Sequence, residues 1–218
     1  MSALRIAPSV LAADFGRLRE QVEEVRGAGA DLVHIDVMDG HFVPPLSMGA
    51  QVCTALRDLG MHLEVHLMVE RPEREQIAAF ADAGAQTIIV HAEATPAVHY
   101  ALQAIRERGA LAGLAINPAT PIDVFAEVEV DLALCMTVNP GWGGQSFIPA
   151  SLGKLERLRV LLGPEVEIEV DGGIDATTAG PCARAGATRF VAGTAIFGAP
   201  SPGDAFARIA DALAPLEA

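Results

Sequence analysis

The sequence GAGADLVHIDVMDG (27–40) has a pattern that recurs in DAGAQTIIVHAEA (82–94) and in RAGATRFVAGTAIFG (184–198). In each stretch an Ala-Gly-Ala sequence follows a helical segment and leads into an apolar run, which ends in polar residues or glycines. Glycine just past a helix closes that helix, and a continuous apolar run is typical of a strand buried on both faces of a parallel sheet. The pattern therefore predicts βα units around a parallel sheet.

Extended along the chain, this pattern predicts eight strands and eight helices. The strands are expected at about 4–9, 31–37, 62–67, 86–91, 111–116, 131–137, 165–170 and 188–192. The helices are expected at roughly 15–27, 48–59, 72–83, 96–108, 121–127, 150–161, 176–185 and 203–214. Eight alternating units fit one closed (β/α)8 TIM barrel over residues 1–218, as a single α/β domain. The alternative is an open doubly wound sheet, but no G-x-G-x-x-G follows the first strand.

Composition limits the classes of function. The chain has 218 residues and a net charge of −13, with no basic run, which argues against partners such as nucleic acid or an anionic membrane. The three cysteines are widely spaced, which favours reduced thiols in a cytoplasmic protein. The N-terminus does not resemble a secretory signal, and no apolar run is long enough to span a membrane.

Polar residues and glycines recur where predicted strands end. They are Ser9, Asp36, His66, His91, Asn117, Asn139, Asp171 and Gly193. In a barrel these positions share one rim, where the loops that follow the strands are free to carry an active site.

Four of the polar side chains suit a metal ion. His34 and Asp36 share one face of a strand, His66 ends the third strand, and Asp171 ends the seventh. A lone histidine in an apolar strand is usually a hydrogen-bonded core residue. Two imidazoles and two carboxylates on one rim instead favour a site for a divalent transition metal ion. Zinc, iron(II), manganese and cobalt all suit these ligands. No organic cofactor is predicted.

The same two aspartates suit proton transfer. Asp36 and Asp171 come from different strands, so one carboxyl group can remove a proton from a carbon and the other can return a proton to the opposite face. Glu64 and Glu169 lie one layer deeper and are expected to orient the ligands through hydrogen bonds. Lys154, the only lysine, lies on the helix after the sixth strand, which disfavours a Schiff-base aldolase.

Glycines and methionines complete the rim. The loops at 139–146, 171–173 and 193–194 are glycine-rich, and such loops can enclose a phosphate with backbone N–H groups, although each alone could be an ordinary turn. Met38, Met68 and Met136 lie at strand ends, where they either fill the core or form an apolar lid over a planar intermediate.

Several longer strings resemble one family. They are IAPSVLAADF (6–15), HIDVMDGHFVP (34–44), HLMV (66–69), INPATP (116–121), MTVNPGWGGQSFIP (136–149), EVDGGI (169–174) and VAGTAIF (191–197). Together they closely resemble the ribulose-phosphate 3-epimerase family over nearly the whole chain.

The resemblance implies a metal-dependent barrel of the ribulose-phosphate-binding type. Such an enzyme interconverts D-ribulose 5-phosphate and D-xylulose 5-phosphate through a cis-enediolate. The matching metal ligands are His34, Asp36, His66 and Asp171, with Asp36 as proton acceptor and Asp171 as proton donor. Substrate contacts are implied for Ser9, His66, Met38, Met68 and Met136. Phosphate contacts are implied for Gly141, Trp142, Gly143, Gly144, Gly172, Gly173, Gly193 and Thr194.

Four positions depart from the family pattern. They are Pro45, where asparagine is usual, Trp142, where phenylalanine is usual, Thr194, where serine is common, and Glu64, where aspartate is usual. Because none of them removes a ligand, activity is still expected. A D-allulose-6-phosphate 3-epimerase and a non-catalytic phosphosugar-binding barrel stay open as alternatives. A metal-dependent hydrolase lacks an obvious water-activating group, and the oligomeric state is open, a homo-oligomer included.

Overall fold

The computed structural model describes residues 4–216 and contains one eight-stranded parallel sheet. The strands are β1 (Arg5–Pro8), β2 (Leu32–Met38), β3 (His62–Met68), β4 (Thr87–His91), β5 (Leu111–Ile116), β6 (Leu132–Met136), β7 (Glu167–Asp171) and β8 (Arg189–Ala192). They pair in the order β1-β8-β7-β6-β5-β4-β3-β2. The two strands at the ends of this order approach each other through a parallel bridge between Ser9 and His34. The sheet is thus a nearly closed barrel, and the predicted fold class is confirmed.

Eight α-helices of the described chain lie between the strands or after β8. They are α1 (Leu18–Gly27), α2 (Gln51–Leu56), α3 (Gln76–Asp82), α4 (Val98–Glu107), α5 (Ser151–Leu162), α6 (Ala179–Arg184), α7 (Thr194–Phe197) and α8 (Pro202–Leu213). No helix within residues 4–216 has both the length and the apolar character that a membrane crossing requires. The three cysteines are buried and free.

Some helix predictions were wrong. The segment predicted as a helix at 121–127 is a 3-10 helix, Ile122–Ala126. Its apolar residues Ile122 and Phe125 are three positions apart, which matches the three-residue turn of a 3-10 helix. The helix predicted from 176 begins instead at Ala179, because Asp175 Oδ1 accepts hydrogen bonds from the backbone N–H groups of Thr177 and Thr178 in a turn.

The predicted and observed helices differ at two further places, after β3 and after β8. The helix predicted from 72 begins at Gln76, since residues 72–75 form turns after Arg71, whose φ is 50°. The short helix α7 was not predicted. It follows Gly193, whose carbonyl oxygen accepts hydrogen bonds from the backbone N–H groups of Ile196 and Phe197.

Strand alternation decides which side chains reach the inside of the barrel. In β2, Val33, Ile35 and Val37 belong to the large apolar core between sheet and helices. Their neighbours His34 and Asp36 lie on the opposite face, because successive side chains of a strand point to opposite sides. All of β2 is buried, so both polar side chains are held inside the protein.

Lys154 has a structural position. It is buried, and its Nζ donates to the backbone carbonyl oxygens of Asn117 at 2.9 Å, Pro118 at 2.8 Å and Thr120 at 2.7 Å. The ammonium group therefore holds the loop after β5 against α5. This position agrees with the prediction that the lysine does not act as a Schiff-base nucleophile.

Candidate active site

A cavity of about 650 Å³ opens at the carboxyl ends of the strands. Its lining includes the two aspartates, the serine, the three methionines and the loop residues singled out in the sequence. These are Asp36, Asp171, Ser9, Met38, Met68, Met136, Gly141, Trp142, Gly143, Gly144, Gly172, Gly173, Gly193 and Thr194. His34 and His66 are fully buried and lie beneath this lining. The fold therefore brings the predicted residues together, while their individual roles stay predictions.

His34, Asp36, His66 and Asp171 offer one ligand atom each, and these atoms all lie within 4.8 Å of one another. His66 Nδ1 is 2.9 Å from Asp36 Oδ1 and 3.7 Å from Asp171 Oδ2. His34 Nε2 is 3.3 Å from Asp36 Oδ1 and, within the described residues, is a buried nitrogen without a hydrogen-bond partner. Nitrogen and carboxylate atoms that converge in this way fit a divalent transition metal ion.

A buried ion network supports His34 from below. His34 Nδ1 is 3.0 Å from Glu64 Oε1, so a hydrogen on Nδ1 leaves Nε2 free to act as a ligand. Glu64 in turn binds the guanidinium of Arg189, which also pairs with Glu167. Glu169, whose Oε1 is 3.5 Å from His34 Nδ1, shares this layer. The predicted orienting role of Glu64 and Glu169 is consistent with these contacts.

The sequence analysis missed Arg189. It lies in the apolar run of β8 with its side chain 2% exposed, and a charged residue in such a run was the available signal. A buried cation needs paired anions, and the glutamates supply them.

The two carboxyl groups of the site differ in pKa. Burial alone would raise the pKa of Asp36, but His34 and His66 outweigh it and hold that pKa well below its usual value. For Asp171, burial and the negative charge of Asp36 raise the pKa to about 7. At neutral pH Asp36 is therefore a carboxylate, whereas Asp171 can carry a proton.

The histidines also differ. Burial lowers the pKa of His66 to about 4, against the opposing effect of Asp36. Burial likewise opposes charge on His34, but Asp36, Glu169 and Glu64 outweigh it and raise the pKa of His34 well above its usual value. The excess of negative charge around His34 attracts a cation, whether a proton or a metal ion.

Ser9 and the methionines line the inner part of the cavity. Ser9 Oγ donates to Asp36 Oδ2 at 2.5 Å and so holds the carboxylate from the side opposite β3. Met38 and Met68 pack together with Val43, and Met136 packs with a second apolar group inside the barrel. All three methionines are at most 5% exposed, which suits an apolar surface that excludes water from the aspartates.

Two glycines allow the loop after β7 to pack against the loop after β6. Gly172 has a φ of +120°, and a Cβ there would lie 2.4 Å from Val138 Cγ2. Gly173 has a φ of +65°, and a Cβ there would lie 2.5 Å from the backbone nitrogen of Phe147. These contacts make any larger residue unfavourable at both positions.

Gly173→Ala is expected to destabilise the protein by about 2–4 kcal/mol, because the added methyl group meets backbone in a left-handed conformation. Gly143→Ala is the matched control on the neighbouring loop, since its Cβ would only contact Thr194 Oγ1 at an ordinary 3.5 Å. The control is expected to change stability by less than about 1 kcal/mol. Urea unfolding measures both, and equal losses in the two variants would contradict this account of the loop.

His91 is predicted from the sequence to support the ligands rather than to bind the metal, and in the structure it pairs with Glu93. His91 ends β4 and is fully buried, and its Nε2 lies 2.8 Å from Nε2 of His66. His91 Nδ1 lies 3.2 Å from Glu93 Oε2. The sequence analysis placed His91 on the rim, but pairing between side chains of two neighbouring strands was not visible in either strand alone.

Solved structures match the fold. The crystal structure of KGPDC from Streptococcus mutans superposes with a TM-score of 0.75 and 18% identity, covering 98% of this chain and 99% of that one. The same protein in complex with D-R5P gives a TM-score of 0.77 and 16% identity, covering 97% and 98% of the two chains. At this identity the likeness concerns the barrel alone.

Sequence relatives are much closer. Ribulose-phosphate 3-epimerase 1 of Cupriavidus necator is 46% identical over 217 residues, which covers 95% of this chain and 90% of the relative. The ribulose-phosphate 3-epimerases of Serratia marcescens and Escherichia coli K12 are 48% and 47% identical, covering 92% of this chain and 98% and 92% of the relatives. The sequence profile of the ribulose-phosphate 3 epimerase family matches residues 5–197. The predicted resemblance, and with it the prediction of an enzyme, is confirmed: the chain belongs to the ribulose-phosphate 3 epimerase family.

Proposed function

We propose that the protein interconverts D-ribulose 5-phosphate and D-xylulose 5-phosphate by inverting the configuration at C3. The names of its sequence relatives support this substrate pair. The observation that carries the reaction is the pair Asp36 and Asp171. These side chains come from β2 and β7, line one cavity, and have pKa values displaced in opposite directions. Epimerisation requires one base and one acid on opposite faces of the reacting carbon, and this pair supplies both.

In the proposed reaction, the Asp36 carboxylate removes the C3 proton from D-ribulose 5-phosphate. The electron pair left behind delocalises toward the C2 carbonyl, which gives a planar enediolate. Asp171 then donates its proton to C3 from the opposite face, and the product is D-xylulose 5-phosphate. In the reverse direction the two groups exchange roles. Met38, Met68 and Met136 keep water away from the enediolate, which would otherwise be protonated without control of the face.

The chemistry of the ligand set fits one divalent transition metal ion, held by His34, Asp36, His66 and Asp171. When bound, such an ion (zinc, iron(II), manganese or cobalt) supplies positive charge that stabilises negative charge developing on the substrate oxygens. The unpartnered Nε2 of His34 supports this assignment. His34 and His66 contribute no proton to the proposed reaction; their role is to hold the ion.

The phosphate of the substrate is proposed to lie against the glycine loops. Within the described residues no lysine or arginine lines the cavity, so a phosphate there depends on backbone N–H groups and hydroxyls. The loops at 141–144, 172–173 and 193–194 line the cavity and are proposed to supply such groups. The three free, buried cysteines suit a reducing compartment, and we place the protein in the cytoplasm.

Turnover of D-ribulose 5-phosphate in deuterium oxide tests this function. We expect D-xylulose 5-phosphate with one deuterium at C3, since the proton returned by Asp171 comes from solvent. NMR at C3 measures the label and coupled assays measure the rate. Substrate preference follows from kcat/KM for D-allulose 6-phosphate, expected to be at least about tenfold lower. Product that keeps the substrate hydrogen at C3 would contradict the mechanism, and binding without turnover would indicate a phosphosugar-binding barrel.

A further inference from the structure

A line of hydrogen bonds leads from the predicted metal ligands toward the surface. It begins at His66, whose Nδ1 faces Asp36 and Asp171 and whose Nε2 lies 2.8 Å from His91 Nε2. It continues from His91 Nδ1 to Glu93 Oε2 at 3.2 Å. The two imidazole rings are stacked, with centroids 4.9 Å apart, and both side chains are fully buried. The contact between the two imidazoles is therefore shielded from bulk solvent, whereas Glu93 reaches the surface.

Glu93 is fixed at the outer end of the line. Its Oε1 accepts hydrogen bonds from the backbone N–H of Asn117 at 2.8 Å and from the hydroxyl of Thr120. Partial burial opposes its charge, but His91, Thr120 and Asn117 outweigh it and lower the pKa of Glu93 to about 2. Glu93 is thus a carboxylate at neutral pH, which can accept hydrogen bonds and has none to donate.

This fixed acceptor determines the hydrogen positions of both imidazoles when each ring carries one hydrogen. Because Glu93 only accepts, the hydrogen of His91 must lie on Nδ1, and His91 Nε2 carries an electron pair. Two electron pairs cannot face each other at 2.8 Å, so the hydrogen of His66 must lie on Nε2. His66 Nδ1 is then left with an electron pair that faces the oxygens of Asp36 and Asp171, and a cation satisfies all three acceptors together.

We propose that His91 and Glu93 are a positioning pair that keeps the hydrogen of His66 on Nε2 and so makes Nδ1 the metal-binding atom. This inference rests on the proposed function, because it concerns the metal ion of the same site. Each of the two ligand histidines is then oriented by a carboxylate. Glu64 acts on His34 directly, whereas Glu93 acts on His66 through His91.

The first test is the hydrogen position of His66 in the wild-type protein. Zn²⁺-loaded protein labelled with nitrogen-15 is examined by long-range proton–nitrogen NMR at pH 8, where neutral histidines are favoured. We expect a protonated Nε2 and an unprotonated Nδ1 for His66, and a protonated Nδ1 for His91. A hydrogen on Nδ1 of His66 would overturn the proposal, whatever the behaviour of any variant.

The second test is Glu93→Gln, which reverses the donor and acceptor roles along this line of hydrogen bonds. The substitution hardly changes the shape of the side chain. The glutamine carbonyl keeps the bonds from Asn117 and Thr120, so its amide nitrogen faces His91 Nδ1 and donates to it. The hydrogen of His91 then moves to Nε2, and that of His66 moves to Nδ1. We expect Nδ1 of His66 to become the protonated ring nitrogen and Nε2 the unprotonated one. The affinity for Zn²⁺ or Co²⁺, measured by chelator competition, should fall by about 10–100-fold.

Control variants separate positioning from simple packing. Glu165→Gln removes the same charge from an exposed residue before β7, at the far end of the barrel, and is expected to leave metal affinity unchanged. His91→Gln places a carbonyl oxygen near the former Nε2 and is expected to keep more metal affinity than His91→Leu, which has no acceptor. Wild-type affinity and an unchanged His66 tautomer in folded Glu93→Gln would overturn the proposal. If that variant does not fold by circular dichroism, equal affinities of the two His91 variants would overturn it.

These measurements do not depend on turnover. An inactive wild-type protein would contradict the proposed function, but its His66 tautomer and metal affinity would still decide the inference. Conversely, an active wild-type protein with the hydrogen on Nδ1 of His66 would contradict the inference alone.

Discussion

Asp171→Asn is expected to lower kcat/KM for epimerisation by about 10²–10⁴-fold, which is the usual contribution of a positioned acid or base. The asparagine keeps the size of the side chain but has no proton of suitable acidity to donate. In the wild-type protein, burial and the charge of Asp36 raise the pKa of Asp171 to about 7, so the group is poised to donate at neutral pH. Coupled assays with D-ribulose 5-phosphate measure this loss.

The same variant should retain exchange at C3. Asp36 is still present and ionised, so it can remove the C3 proton of D-ribulose 5-phosphate and return a solvent-derived one to the same face. In deuterium oxide we expect D-ribulose 5-phosphate to gain deuterium at C3 while little D-xylulose 5-phosphate forms. Asp36→Asn should give the converse result, in which only D-xylulose 5-phosphate exchanges its C3 hydrogen with solvent. Exchange without epimerisation is the result that separates a two-base mechanism from a general loss of structure.

Asp175→Asn is the matched control for Asp171→Asn. Asp175 is four residues after Asp171 in the chain and lines the same cavity. Its carboxylate accepts hydrogen bonds from the turn that contains Thr177 and Thr178. We expect it to keep kcat/KM within about tenfold of the wild-type value, since its contribution is to local stability. Near-wild-type epimerisation by Asp171→Asn would reject the assignment of the proton donor.

Metal removal is expected to have the second large effect. After chelation we expect kcat/KM to fall by at least about 10³-fold and to recover when Zn²⁺, Mn²⁺, Co²⁺ or Fe²⁺ is added back. One ligand atom each from His34, Asp36, His66 and Asp171 lies within 4.8 Å of the others, so a single ion can contact all four. Burial and the negative charge of Asp36 raise the pKa of Asp171, so the site is one that positive charge would stabilise.

Stability should change together with activity. A ligand at 100 times its Kd stabilises the folded state by about 2.7 kcal/mol, which corresponds to a rise in Tm of roughly 5–10 °C for a chain of this size. His34→Gln should abolish this metal-dependent rise, whereas His99→Gln, at an exposed position of α4, should keep it. Full activity in protein shown by elemental analysis to be free of metal would contradict the proposed ligand role.

The sequence was sufficient to predict the barrel and the position of the candidate site. Eight apolar runs separated by helical segments left few other arrangements, and period-two alternation in β2 placed His34 and Asp36 on the face opposite Val33 and Ile35. Helix ends were predicted less well. At Asp175, hydrogen bonds of a local turn compete with the first turn of the helix. Between Pro121 and β6 a 3-10 helix forms in place of the predicted helix. Both outcomes depend on packing that a hydrophobic pattern does not contain.

Side-chain partners across the barrel were decided by the tertiary structure. Arg189 meets Glu64 although 125 residues separate them. The sequence predicted an orienting role for Glu64, but Arg189 appeared there only as a charge inside an apolar run. His66, His91 and Glu93 form a line because β3 and β4 are neighbours in a particular register. Periodicity specifies which face a side chain occupies, because that property belongs to one strand. Contact between side chains of different strands depends on how the sheet closes, so it is fixed only when the barrel has formed.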